Sequence, residues 1–173
     1  ADISNRVYEF NLENNNASAP AAIDIIAPDL QASPPLLDRS EAFFGQEISV
    51  TWTAENVAAE ATALVPWIDG FWLSTDTVWD PQTDVLMGGV DVREHAPLPP
   101  GQNYTVTADV PLAADVTLQD GDYYVLVEIN SGGEQLEADR SNNVAVSDTL
   151  LSLTRRPGPA VVSITPDGTT HQA

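Results

Sequence analysis

Apolar and polar residues alternate with a period of two through most of this chain. In "EISVTWTAE", Ile48, Val50, Trp52 and Ala54 alternate with Ser49, Thr51 and Thr53, the inside–outside pattern of a half-buried strand. The same period recurs at Tyr104, Val106, Ala108 and Val110, and at Tyr123, Val125, Val127 and Ile129. It returns in "VAVSDTLLSL" with Val144 and Val146, then Leu151 and Leu153. "PWIDGFWLST" and "DVLMGGVDV" read as further strands, so about seven are predicted in antiparallel order. One stretch, Ala54 to Val65, is alanine-rich enough to be helical, although it lacks an i, i+3, i+4 apolar stripe.

Turn chemistry separates these runs. "PLPPGQ" (97–102) and "LQDGD" (118–122) hold Pro, Gly and Asp that a strand interior does not tolerate, and each precedes a strong strand. "NSGG" (130–133) supplies positive φ, which predicts a tight hairpin returning through "EQLEAD". The expected fold is all-β: an immunoglobulin-like antiparallel β-sandwich of about seven strands, with additional strand segments at both ends.

The chain also repeats itself. "VYEFNLENNNASAPAAIDI" near the start aligns with "QLEADRSNNVAVSDTLLSL" near the end at an offset of 128 residues, Glu9 falling on Glu137. Asn14 and Asn15 fall on Asn142 and Asn143, and Ile23, Asp24, Ile25 on Leu151, Ser152, Leu153. The shared skeleton is E-x4-N-N followed by an alternating strand, the self-match of a repeat array. On that offset the chain holds about one and a third units. Residues 1–27 are expected to be the final strand of a preceding repeat or a donor strand, 28–156 the full domain, and 157–173 a linker and the first strand of a following repeat, with "AVVSI" at 160–164 as that strand.

Taken in order, P-D-L (28–30), G-Q-x-I-x-V-x-W-T (45–53), W-I-D-x-x-W-L-S-T-D with L-M-G (67–88), L-x-P-G-x-x-Y-T-x-T (98–107), G-x-Y-Y-V-L-V (121–127) and E-x4-N-N (137–143) resemble the CARDB domain. That family is a bacterial cell-adhesion-related module. The resemblance implies an immunoglobulin-like fold and use as a tandem spacer or adhesive unit in exported proteins, and it brings no catalytic residues. The alanine-rich insert at 57–65 departs from the family pattern.

Composition narrows the function. Cysteine is absent, which removes disulfides, thiolate metal sites and thiol nucleophiles. No lysine and only six arginines stand against 16 Asp and 10 Glu, giving a formal charge of -20. Such a surface repels nucleic acid and anionic membranes and reads as extracellular or cell-surface. No apolar run reaches the roughly 20 residues of a bilayer span, so no membrane insertion is expected.

Few residues are candidates for chemistry. Asp76, Asp80 and Asp84 recur every four residues in "STDTVWDPQTDVLMG", with Asp91 beyond, and offer oxygens to calcium, although not in EF-hand spacing. The competing reading is a polar turn whose aspartates bond their own backbone. Glu137, Asn142 and Asn143, with their copies Glu9, Asn14 and Asn15, most simply satisfy backbone groups at a turn; the alternative is a cation site at the junction between units. Trp52 is core by parity, while Trp67 and Trp72 are expected on opposite faces. Trp79, inside the aspartate loop, is the best candidate for an exposed sugar contact, against the simpler reading that it packs over the base of that loop. His95 and His171 read as surface residues, and Arg155 with Arg156 as a basic pair meeting the acidic surface beside a linker. Asn16 and Asn103 match glycan acceptor sequons.

The expectation is a non-enzymatic structural or adhesive repeat with no required cofactor. Its partners would be neighbouring copies in a head-to-tail polymer or tandem array. The alternatives are a calcium-dependent module that binds polysaccharide or a cell surface, and an accessory domain of a secreted hydrolase.

Overall fold

A computed structural model describes residues 26–112, 118–156 and 158. Within it the alternating run at 47–56 forms strand β4 (Glu47–Asn56), with Ile48, Val50, Trp52 and Ala54 all buried. Strand β7 (Asn103–Pro111) pairs with it antiparallel along its whole length, from Glu47↔Pro111 to Glu55↔Asn103. On the outer face two hydroxyl pairs cross this seam, Thr51–Thr107 at 2.7 Å and Thr53–Thr105 at 2.8 Å. Because β7 occupies one edge of β4, the short strands β1 (Leu30–Ala32) and β2 (Leu36–Leu37) share the other.

The second sheet is built around β8 (Gly121–Glu128). Strand β5 (Ile68–Ser74) takes one edge, and β9 (Val144–Val146) and β10 (Leu151–Thr154) share the other. Strand β6 (Val85–Asp91) extends the sheet beyond β5, and β3 (Glu41–Phe43) lies outside β10. These ten segments come from seven runs of chain: β1 to β3 are one run that changes sheets, and β9 and β10 are one run broken at 147–150. The arrangement is an immunoglobulin-like sandwich. The pairing is antiparallel except at β3, which runs parallel to β10 after the first run crosses over.

Three local expectations are corrected. The alanine-rich stretch is not helical. Ala54 to Asn56 finish β4, and the remainder is an irregular crossover in which Asn56 Nδ2 donates to the Ala61 and Leu98 carbonyls (2.7 and 2.9 Å) and Ala63 bridges Leu98. Without an apolar stripe a short helix gains no packing energy to offset its nucleation cost. Among the described residues the helical content is a single 3-10 turn at Arg93–His95. "NSGG" does take positive φ, at Asn130 (52°) and Gly133 (69°), yet "EQLEAD" is not a return strand. Its backbone is bonded by side chains instead, and the ladder resumes only at Val144↔Glu128. Finally, the pairing Val127↔Ala145 sets the register of β9, so Ala145 faces the core and Val144 and Val146 turn to the outer face.

The inner faces meet in one core, where the Trp52 ring sits edge-on to Phe71 at 4.8 Å. A carboxylate lies inside it. Asp69 on β5 is fully buried, and its Oδ2 accepts hydrogen bonds from Trp52 Nε1–H (2.8 Å) and Tyr104 O–H (2.6 Å) on the opposite sheet. Its Oδ1 accepts the Asn130 N–H (3.1 Å), and Trp67 Nε1–H donates to the Tyr104 oxygen (3.2 Å). Burial pushes the Asp69 carboxyl above the usual carboxylate range, against the pull of these donors, and burial beside Asp69 also pushes the Tyr104 phenol up.

Replacing Asp69 by Ala strands the Trp52 and Asn130 N–H groups in the core and is expected to cost about 3 kcal/mol in urea unfolding. Because the folded carboxyl titrates above its unfolded value, its contribution is complete below the unfolded pKa and declines as pH rises through the folded one. The margin of wild type over D69A should therefore be widest in acid. A margin that grew toward neutral pH would show that the donors outweigh desolvation.

Candidate functional site

The repeated motif forms a polar clasp. Glu137 Oε2 accepts the Leu30 N–H of β1 at 2.8 Å, and its Oε1 accepts Asn130 Nδ2–H (2.6 Å) and Asn143 Nδ2–H (2.8 Å). Asn143 Nδ2 also donates to the Ile129 carbonyl (3.0 Å), and Asn142 Nδ2 donates to Asp29 Oδ1 (2.8 Å). Backbone bonds lie alongside: Ala138 N–H to the Pro28 carbonyl (2.8 Å) and Ala32 N–H to the Asn142 carbonyl (3.1 Å). The E-x4-N-N segment therefore fastens the first strand of the unit, 107 residues away at Leu30, to the loop after β8. With N–H donors on both oxygens, Glu137 serves as an acceptor for the backbone and the amides. The copies Glu9, Asn14 and Asn15, the strand at 160–164, His171 and the Asn16 sequon lie outside the described residues.

In the loop joining β5 to β6, Asp76, Asp80 and Asp84 each close a turn. Asp76 Oδ1 accepts the Val78 N–H (2.8 Å), Asp80 Oδ1 the Gln82 N–H (2.9 Å) and Asp84 Oδ2 the Asp80 N–H (2.8 Å). No group of three or more His, Cys, Asp or Glu side chains among the described residues is placed to hold a metal ion. Asp91 pairs with Arg93 at 2.7 Å, and that guanidinium holds its carboxyl below the usual range. His95 is not a free surface residue: it stacks on the Tyr104 ring with centroids 4.4 Å apart. Arg155 meets Asp120 at 3.1 Å, and its guanidinium lies 5.8 Å from the centre of the Phe44 ring.

The tryptophans divide by face. Trp52 and Trp67 are buried in the core, whereas Trp72 lies half-buried on the outer face of the second sheet and donates from Nε1 to Glu128 (3.0 Å). Trp79 stands edge-on to Trp72 at 5.8 Å, so the loop folds back over the sheet. Between loop and sheet runs a groove of about 520 Å³, lined by Thr77, Val78, Trp79, Glu128, Arg140 and Val146 among others. Burial raises the Glu128 carboxyl, opposed by the Trp72 N–H and the charge of Arg140.

Neither Asp69 nor this groove was singled out from the sequence. The signal for the groove was present in "YYVLVEIN", where Leu126 and Glu128 sit at outward parity yet are buried. An apolar residue at an outward position marks a sheet covered on both faces.

No protein-family model matches the chain, and no curated protein matches it. Among solved structures it is similar to a CARDB domain from Pyrococcus furiosus in complex with di-metal ions. The identity is 13% over 78% of this chain and 100% of that one, with a TM-score of 0.49. A solution structure of the CARDB domain from the same source gives 14% identity over 76% and 100%, also at 0.49. A β-glucosidase from Erythrobacter marinus gives 12% identity over 73% of this chain but 16% of the enzyme, at 0.47.

Replacing Glu137 by Ala leaves the buried Leu30 N–H without its acceptor and frees two amides, and is expected to cost about 3 kcal/mol. Hydrogen exchange at Leu30 should accelerate with it. Unchanged protection of that amide would remove Glu137 from the role of clasp.

Proposed function

We propose that this chain is a structural and adhesive repeat of an extracellular or cell-surface assembly, joined to neighbouring copies through its end strands and without catalytic activity. The observation that carries this reading is that the motif repeated along the sequence is the one that closes a unit on its own first strand. Every unit of an array needs that clasp, and the copy at Glu9, Asn14 and Asn15 stands where the clasp of a preceding unit would lie.

The path of the chain suits such a role. It enters at the pole formed by Pro28, Asn56 and Asn130, and leaves at the opposite pole, where Thr154 accepts the Phe44 N–H. A unit traversed from pole to pole transmits tension along its strands and stacks head to tail. The carboxyls that burial displaces are committed within the fold, Asp69 to Trp52 and Tyr104 and Glu128 to Trp72. Among the described residues no helix is long and apolar enough to cross a membrane.

The full chain is expected to form oligomers or fibres by electron microscopy, and deletion of residues 1–25 to abolish them. Monodisperse particles from the full chain would overturn assembly through end strands. A second reading, binding of polysaccharide or a cell surface, is favoured by the groove beside Trp79. For its calcium-dependent form, millimolar calcium would raise the melting temperature by mass action. With Asp76, Asp80 and Asp84 engaged in their own turns, no shift is expected.

A further inference from the structure

The groove under the β5–β6 loop is lined by polar groups that the rest of the fold leaves unused. Among the described residues three buried side-chain polar atoms have no hydrogen-bond partner, and two of them, Trp79 Nε1 and Asn143 Oδ1, belong to residues lining this groove. Asn143 is 1% exposed, and its Nδ2 already serves Ile129 and Glu137. An unpartnered buried donor or acceptor costs stability, so two at one groove call for a ligand that meets them. Glu128 adds an acceptor: its Oε2 takes the Trp72 N–H, while its Oε1 has no hydrogen bond among the described residues. Arg140 rests Nη2 on the Asn130 carbonyl (2.9 Å), which fixes a guanidinium with further N–H donors to spare.

The floor between these groups is apolar. The pairings Leu126↔Val146 and Glu128↔Val144 put Val144 and Val146 half-buried on the outer face of β9, where they line the groove. Its volume of about 520 Å³ falls within the roughly 300–1,000 Å³ of small-molecule sites. Donors and acceptors set around an apolar floor suit a ligand whose hydroxyls both donate and accept and whose C–H face is apolar, which is a sugar ring. Charge narrows the class further. An acidic polymer is repelled by a chain of net charge -20, and a cationic ligand approaching Glu128 meets Arg140, whose charge acts on that carboxyl. A neutral saccharide meets neither penalty. The frame itself is made by hydrogen bonds, since Asp76, Asp80 and Asp84 spend carboxylate oxygens on backbone N–H groups of the loop that carries Trp79.

We propose that the groove between the β5–β6 loop and strands β8 and β9 binds a neutral polysaccharide without calcium. Trp79 and Arg140 donate to sugar oxygens, Asn143 and Glu128 accept from hydroxyls, and Val144 and Val146 lie against the ring. This rests on the polysaccharide-binding reading and gives it a place and a ligand class.

The test is isothermal titration of the full 173-residue chain in EDTA at neutral pH, with thermal melts alongside. The probes are the neutral oligosaccharides cellohexaose, laminarihexaose, xylohexaose and mannohexaose, with polygalacturonate as the acidic comparator and hexa-arginine as the cationic one. At least one neutral oligosaccharide should bind the wild type. W79F keeps a ring but loses the N–H, and should weaken binding about fivefold with the melting temperature within about 2 °C of wild type. V146E, which puts a charge on the floor, should weaken it at least about tenfold. L36E, on β2 in the other sheet, should bind as wild type does. Binding that both W79F and V146E leave intact would overturn the groove while the polysaccharide reading stood. Binding that appears only when calcium replaces EDTA would do the same, in favour of the calcium-dependent form. Preference for polygalacturonate or hexa-arginine would overturn the ligand class, and a wild-type chain that binds no saccharide would overturn both the groove and the reading.

Discussion

A single carboxylate between two sheets is the constraint around which this sandwich is arranged. Asp69 projects from β5 into the core and accepts from Trp52 on β4, Tyr104 on β7 and the backbone of Asn130 after β8. A buried carboxyl is costly, and here three donors reduce that cost without cancelling it, since burial still holds the carboxyl above its usual range. The network therefore admits one relative placement of the sheets. Hydrophobic contact between Trp52 and Phe71 supplies attraction in many orientations; the hydrogen bonds select one.

The same chemistry closes the unit. Without cysteine, the first strand cannot be tied down covalently, and a three-residue strand such as β1 contributes few ladder bonds. Glu137, Asn142 and Asn143 provide the missing restraint by taking backbone and side-chain groups of residues 28–32 into their own bonds. Asn130 belongs to both systems: its N–H reaches Asp69 and its amide reaches Glu137. Core bracket and surface clasp thus share a residue, which couples the alignment of the sheets to closure of the upstream pole. A unit organised this way keeps its two ends in a fixed relation.

Much of this was legible in the residues. The period-two runs around Trp52, Tyr104 and Tyr123 located three central strands and their inward faces, because alternation is a local property of a strand with one face covered. Turn residues at 97–102 and 118–122 were equally local. Where tertiary contacts overrode local pattern, the reading failed. The 54–65 stretch has helical composition, but Asn56, Ala63 and Gln135 recruit it into a crossover. "EQLEAD" has strand-like spacing, but Asn130 and Glu137 take up its loop in side-chain bonds. Val144 and Val146 look inward by hydrophobicity and face outward because Ala145 is paired to Val127.

By itself the sequence determined that the chain is a β-sandwich, that it contains no thiol chemistry, that its surface is strongly anionic, and that one motif recurs at a fixed spacing. Each of these follows from residue type, order or count, which are properties of a linear text. The tertiary structure decided what the motif holds, which of four tryptophans share a face, and that Asp69, ordinary in its sequence context, is the polar centre of the core. It also placed the carboxylates of Asp76, Asp80 and Asp84 on backbone N–H groups of their own loop. Those are matters of distance between residues far apart in the chain, and only the pairing of strands brings Leu30 to Glu137 or Trp52 to Asp69.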